Sequence, residues 1–282
     1  MEEKNKILPS TLYLVATPIG NLDDMTFRAV KTLSECDFIA AEDTRVTAKL
    51  LSAYDIKKPL VTYEEHHKKA AGEMIVERLK NGESCALVTD AGTPAISDPG
   101  EDLVRLCAEN GISVVAVPGA CAAVNALALS GISTRYFLFE GFLDGKDNAK
   151  KERLNELSTY PQTLIFYEAP HRLTDTLSLM EQTLGGGRKI SLCRELTKRN
   201  EEVVRTTVSE ALKKYRNEAP RGEFVLVVEG RTKSTDCFWE NMTIKEHVEY
   251  YVNNMSLDKM SAVKATAKDR GLPKNAVYKE LI

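Results

Sequence analysis

Two short runs gather the side chains best suited to holding or moving a proton. Ala41-Glu42-Asp43-Thr44-Arg45 and Tyr63-Glu64-Glu65-His66-His67 each close an apolar run that reads as a strand. Carboxylates and imidazoles at such places can exchange protons with a bound reactant, and an arginine's planar fork suits an anion. A plainer reading stands beside this one. Asp43 is also a good N-cap for a helix beginning near Val46, with Arg45 as a surface ion-pair partner. His66-His67 does not read as a metal pair, because adjacent side chains diverge and no third ligand lies at a suitable spacing; no metal is expected. His171 follows Pro170 at a helix start, where it either lines a pocket or sits exposed. His247 lies in a surface-type helix and reads as structural.

Four glycine- and proline-marked turns surround these groups. Apolar runs ending near residues 16, 88, 117 and 167 lead into Thr17-Pro18-Ile19-Gly20-Asn21, Thr89 to Gly100, Pro118-Gly119-Ala120-Cys121, and Glu168-Ala169-Pro170-His171-Arg172. Each is followed by a helical pattern. Glycine lets backbone approach a ligand closely, and proline fixes the turn. In open α/β sheets, ligands bind beyond the carboxyl ends of strands. Four such exits argue for one composite pocket. No P-loop, no Gly-x-Gly-x-x-Gly after a strand and no Gly-x-Ser-x-Gly elbow is present, so nucleotide-triphosphate, ordinary dinucleotide and serine-hydrolase chemistry have no motif behind them.

The elements that must position these turns alternate. Strands are expected near 11–17, 37–41, 60–63, 84–89 and 113–117, with helices near 26–35, 46–54, 67–81, 100–110 and 120–130. That pattern gives a mainly parallel sheet covered on both faces. A second α/β unit follows Gly131, with strands near 136–141, 162–167, 190–194, 202–208 and 223–229 and helices near 148–158, 171–184 and 209–216. The short charged connection from Glu195 to Glu201 implies a hairpin, which makes this second sheet mixed. Gly185-Gly186-Gly187 follows a helix rather than a strand, so it reads as a helix C-cap. A polar linker at 231–236 leads to helices near 243–255, 258–270 and 274–281. Leu257, Met260, Val263 and Ala267 form an apolar stripe there, and Gly271-Leu272-Pro273 breaks the chain as in a helix-turn-helix.

Composition sets outer bounds. The chain has 282 residues, a net charge of -3 and six scattered cysteines with no Cys-x-x-Cys pair. These read as reduced, buried cysteines of a cytoplasmic protein. There is no global nucleic-acid signal, but from Lys259 onward six Lys and Arg stand against Asp269 and Glu280. The start lacks an apolar signal region. The longest apolar stretch, 112–132, is interrupted by Pro118, Gly119 and Asn125 and reads as strand, turn and buried helix rather than a membrane span.

The motifs together resemble the tetrapyrrole methylase superfamily, whose members use S-adenosylmethionine, and within it the branch that 2′-O-methylates a cytidine of 16S rRNA. The resemblance rests on LYLVATPIGNLDD from Leu12, AAEDTR from Ala40, VTDAGTPAISDPG from Val88, VPGA from Val117, FEGF from Phe139, YEAPHR from Tyr167, CREL from Cys193 and RGEFVLVVEG from Arg221. Gly92-Thr93-Pro94 stands where the tetrapyrrole enzymes carry Gly-Asp-Pro, which favours the RNA branch. The run from Tyr63 to His67 departs from the family pattern, which has a histidine earlier.

The resemblance implies two successive α/β domains, 1–131 and 132–232, with a cofactor cleft between them and a helical domain over 237–282. Its S-adenosylmethionine contacts map to Pro18, Ile19, Gly20, Asp90, Gly92, Thr93, Pro94, Ile96, Ser97, Pro118, Gly119 and Ala120. Tyr167, Ala169 and Phe224 would close over them. For the base that accepts the ribose proton, Asp43 and Glu42 come first, then Glu64 and His66, with Arg45 on a backbone phosphate. Lys146, Lys150, Lys151, Arg153 and the basic tail are expected to face RNA. The implied partners are 16S rRNA in the small ribosomal subunit and a second copy of the chain, with no membrane. The alternatives are a methyltransferase acting on a corrin or porphyrin, and a non-catalytic RNA-binding protein.

Overall fold

The computed structural model describes residues 6–231, 239, 242–255 and 257–281. All but Arg231 of the linker expected at 231–236, and Cys237, lie outside the described residues. Two compact units emerge, 1–230 and 231–282.

The first sheet holds β1 (Thr11–Val15), β2 (Phe38–Ala41), β3 (Leu60–Thr62), β4 (Cys85–Val88) and β5 (Ser113–Val117), in the order β3-β2-β4-β1-β5. Every pairing is parallel. All five exits therefore lie on one edge. The strands read as unbroken apolar runs because helices cover both faces. On one face α1 (Phe27–Glu35) and α2 (Thr44–Ala53) pack Leu33 and Leu51 against Val15, Ile39 and Val88. On the other, α3 (Lys68–Lys80) and α4 (Gly100–Glu109) pack Ile75 and Leu103 against Leu12, Phe38 and Leu87. Right-handed crossovers dictate this division, because the chain steps one way along the sheet to β3 and the other way afterwards. The reversal makes the neighbours β2 and β4, whose onward connections diverge, the switch point, where a crevice opens. Thr26 caps α1 and Asp43 caps α2. A short 3-10 turn at Leu22–Asp24, unmarked by any apolar period, precedes α1.

The second sheet is mixed, as the short 195–201 connection implied. It holds β6 (Phe137–Phe142), β7 (Thr163–Glu168), β8 (Lys189–Arg194), β9 (Glu202–Thr207) and β10 (Phe224–Val228), in the order β6-β7-β10-β8-β9. Only β6 and β7 run parallel. α5 (Ala122–Ser130) covers one face, placing Ala123, Ala126 and Leu127 on Ile165, Cys193, Val225 and Val227. α6 (Asp147–Leu157), α7 (Pro170–Leu184) and α8 (Val208–Asn217) cover the other, against Leu164, Phe166, Leu192 and Leu226. The alternation along β7 and β10 is the period of two that a strand imposes. α5 follows the first sheet in the chain yet packs on the second, and Gly131 ends it in the left-handed conformation that favours glycine. Gly185 caps α7, so the glycine run there is a helix end as expected.

The C-terminal unit consists of α9 (Ile244–Met255), α10 (Lys259–Arg270) and α11 (Lys274–Lys279). Val248, Ala262, Val263, Ala267 and Val277 form its core. Two readings are corrected here. Met260, assigned to the apolar stripe, is 54% exposed, because Asp258 caps the helix and turns Ala262 and Thr266 inward. His247, placed on a surface, is fully buried: it stacks on Tyr251, and its Nδ1 accepts from Arg270 Nε at 3.1 Å. Arg270 also donates to the carbonyls of Trp239, Met242 and Thr243, so one of the tail's six cations is structural.

Candidate active site

The exits of β1, β4 and β5 are tied to one another. Thr17 and Gly92 exchange backbone hydrogen bonds at 2.8 and 3.1 Å, and Thr17 Oγ1 donates to the Thr89 carbonyl at 3.1 Å. Thr93 Oγ1 donates to the Ala120 carbonyl at 3.0 Å. A Cβ on Gly119 would lie 2.8 Å from Ala16 Cβ, so this close approach requires glycine. Opposite these loops stand the exits of β7 and β8 and the start of β10. A cavity of about 500 Å³ lies between the two walls, within the roughly 300–1,000 Å³ of small-molecule sites.

The walls differ in character. The first-sheet wall is backbone-rich, with Ile19, Gly92, Thr93, Ile96 and Ser97. The second-sheet wall presents an apolar and aromatic patch, Phe142, Tyr167, Ala169 and Phe224, among charged side chains. Phe139 and Phe142 hold the Tyr167 ring edge-on, at 5.0 and 5.6 Å. The Tyr167 hydroxyl accepts from Ala123 N at 3.3 Å, and burial pushes this phenol up to about 12.

Carboxylates outnumber cations around the cavity. Glu42 lines it, and its Oε2 accepts from Thr89 Oγ1 at 2.7 Å and from Asp90 N at 3.4 Å. Asp98 Oδ1 accepts from Ala95 N and Gly100 N at 3.0 and 2.7 Å, while its Oδ2 is buried with no hydrogen-bond partner among the described residues. Burial raises the Asp98 carboxyl. Glu168 is buried and accepts from Thr176 Oγ1 at 2.5 Å and Ala169 N at 2.9 Å. Lys198 Nζ bridges Glu195 Oε1 at 2.9 Å and Glu223 Oε2 at 2.8 Å.

The other expected residues fall into three groups. Pro18, Gly20, Pro94, Pro118, Gly119 and Ala120 belong to the lining loops but do not themselves line the cavity; Gly20 lies against Thr197 and Lys198. Asp90 does not line it either, its Oδ1 accepting from Asp43 N at 3.1 Å; partial burial, then the Glu42 charge, raises its carboxyl. Asp43 caps α2 and holds Arg45 through both its oxygens, at 3.0 and 2.7 Å. The Arg45 guanidinium draws the Asp43 carboxyl down to about 2, which makes it a weak proton acceptor. Glu64 is paired with His67 at 2.8 Å, and neither it nor the exposed His66 lines the cavity. The plainer reading of the 41–45 run therefore describes Asp43, while Glu42 faces the cavity.

Sequence reasoning passed over Asp98, Phe142, Glu195, Leu196, Lys198 and Glu223 as wall residues, and left His171 undecided; it lines the cavity. Non-glycine residues in left-handed backbone are the shared feature of two of the loops involved, Ala95 and Ser97 in one, Glu195 and Thr197 in the other. Such strain clusters at working sites but has no local sequence signature.

A sequence profile of the family described as Tetrapyrrole (Corrin/Porphyrin) Methylases matches residues 11–212. A ribosomal RNA small subunit methyltransferase I of Bacillus subtilis is 50% identical over 271 residues, 95% of this chain and 92% of that protein. The protein of the same name from Haemophilus influenzae is 46% identical over 274 residues, 96% of each chain. Among solved structures, a cobalt precorrin-4 methyltransferase matches with a TM-score of 0.57 and 18% identity, over 77% of this chain and 94% of its own. The uroporphyrin-III C-methyltransferase of Thermus thermophilus, in complex with S-adenosylhomocysteine, matches with a TM-score of 0.55 and 18% identity, over 77% and 96%.

Proposed function

Because the chain belongs to the tetrapyrrole (corrin/porphyrin) methylase family, we propose that it is an S-adenosylmethionine-dependent methyltransferase acting on RNA of the small ribosomal subunit. The cavity built from tied strand exits facing an aromatic wall carries the cofactor part of this reading. Its chemistry suits that ligand: backbone amides and carbonyls for polar edges, apolar rings for a planar base, and a surplus of carboxylates for a cationic centre. Asp98 Oδ2 is a buried acceptor still available to a donor. Ile19, Gly92, Thr93, Ile96 and Ser97 would hold the group from one side, with Tyr167, Ala169 and Phe224 on the other. When bound, the cofactor supplies a methyl group on a sulfonium.

The substrate follows from how far the relatives extend. The family profile stops at residue 212, whereas the rRNA methyltransferases match about the whole chain, tail included. We take the finer target to be the 2′-hydroxyl of a cytidine in 16S rRNA. A ribose hydroxyl is a poor nucleophile until its proton leaves, and a positioned base adds about 10²–10⁴-fold. Glu42 is the candidate that lines the cavity, with Thr89 orienting one of its oxygens, and we assign it that role. Arg45, anchored by Asp43 and pointing outward, is assigned to a backbone phosphate beside the target. Holding the hydroxyl in line is worth about 7–11 kcal/mol of barrier.

No described helix is long and apolar enough to cross a membrane. A cytoplasmic location and a homodimer belong to the same reading. Val124 and Leu129, which α5 leaves exposed, are the apolar surface a second copy would cover.

The test uses methyl-tritiated S-adenosylmethionine and small subunits from a strain lacking this gene. Label appearing in an alkali-resistant dinucleotide is the expected result. Cofactor binding without label in subunits or naked rRNA would remove the RNA assignment and bring the corrin or porphyrin reading forward.

A further inference from the structure

The two layers of residues 6–230 meet at two junctions beside the cavity in the same way. A glycine of one layer touches a left-handed hydroxyl residue of the other. On one side, Ser97 (φ 64) lies against Gly141, where an added Cβ would sit 3.0 Å from Ser97 Oγ. On the other, Thr197 (φ 66) lies against Gly20, where a Cβ would sit 3.0 Å from Thr197 Oγ1 and overlap Lys198 Cγ.

The second junction joins two connecting loops, whereas Gly141 is built into strand β6. Gly20 does not need its glycine for a left-handed φ; the missing side chain serves close approach alone. The facing loop is pinned from several directions. Thr197 N donates to Glu201 Oε2 at 2.6 Å, and Lys198 is tethered to Glu195 and Glu223. Strained backbone persists only where its surroundings over-determine it. One group is left over: Thr197 Oγ1 is buried beside Gly20 with no hydrogen-bond partner among the described residues. Such an orphan calls for an explanation, and a second arrangement of the 17–21 loop supplies one. Ile19, Leu196 and Lys198 are also cavity walls, so parting this junction opens the cavity itself.

We propose that Gly20, Thr197 and Lys198 form a clasp that controls how long the cavity retains its cofactor. They are positioning residues, and the proposal rests on the methyltransferase reading. Loops 17–21 and 195–201 separate for exchange and close for reaction.

S-Adenosylhomocysteine is the probe, with the full chain. Gly20→Ala is expected to raise its dissociation rate tenfold or more, and to speed amide hydrogen exchange in both loops of the ligand-free protein. Lys198→Met keeps the stem but loses the tether, and is expected to shift both readouts the same way. The decisive comparison is the double variant Gly20→Ala/Lys198→Ala, which deletes the atom the new methyl meets. Gly20→Ala should have most of its effect only when Lys198 is present. Unchanged exchange and dissociation in Gly20→Ala, or an equal effect in the Lys198→Ala background, would overturn the clasp. Wild-type protein failing to bind the probe would count against the methyltransferase reading instead, and the ligand-free exchange would still decide on the clasp.

Discussion

Glu42 and Asp43 are neighbours in the chain with opposite duties. Glu42 faces the cavity from the end of β2, whereas Asp43 turns back to cap α2 and anchor Arg45. Glu42→Gln is therefore expected to lower the single-turnover rate by about 10²–10⁴-fold while S-adenosylhomocysteine binding stays within a few-fold. Asp43→Asn retains a capping oxygen and is expected to leave the single-turnover rate near normal at saturating RNA; a loss as large as that of Glu42→Gln would reverse the two assignments. The sequence put both carboxylates in the right run, but which one faces the cavity depends on how the strand exit turns, and that turn is set by Asp90 accepting from Asp43 N. That Lys198 and Glu223 meet was not legible for a similar reason: they do so only because β8 and β10 pair.

Elements were more legible than side-chain directions. Apolar runs bounded by glycine and proline located the strands, because those in the sheet centres are buried on both faces. Caps were equally local. Thr26 Oγ1 accepts from Ala29 N at 3.1 Å, so Thr26→Ala should cost about 1 kcal/mol in denaturant unfolding. Asp37 joins the start of β2 to that of β4, accepting at Oδ2 from Ser84 N at 2.7 Å and Ser84 Oγ at 2.6 Å. These bonds hold its carboxyl below the usual value. A lowered carboxyl stabilises the fold above its unfolded value, about 3.9, and that contribution is lost as pH falls through the folded value. Asp37→Asn should therefore lower Tm at neutral pH, with the difference shrinking below about pH 4 in a melting series. The partner of α5 was not legible, since its apolar residues fit either sheet and only tertiary packing chose the second.

At the scale of the whole molecule, the chain divides into a unit that holds the cavity and a small helical unit with its own core. Gly271-Leu272-Pro273 announced the break between the last two helices, but nothing local announced that Arg270 and His247 lie inside. Small domains bury little surface and are marginal, so this buried cluster matters more than its size suggests. Arg270→Met removes charged hydrogen bonds typically worth about 1.5–3 kcal/mol each. The full-length variant is expected to melt in two steps, with the early loss confined to 242–281 by hydrogen exchange and with S-adenosylhomocysteine binding retained.

The seating of α5 also bears on how the chain is made. All five strands of the first sheet have been synthesised by Val117, and α5 by Ser130, yet its partners include Val225 and Val227 on the strand at the centre of the second sheet. At about 5–20 residues per second, a growing chain carries this apolar helix uncovered for roughly 5–20 s. During that interval the newborn first lobe offers a sticky surface to chaperones and to neighbouring nascent chains, and a stall before residue 224 leaves it there.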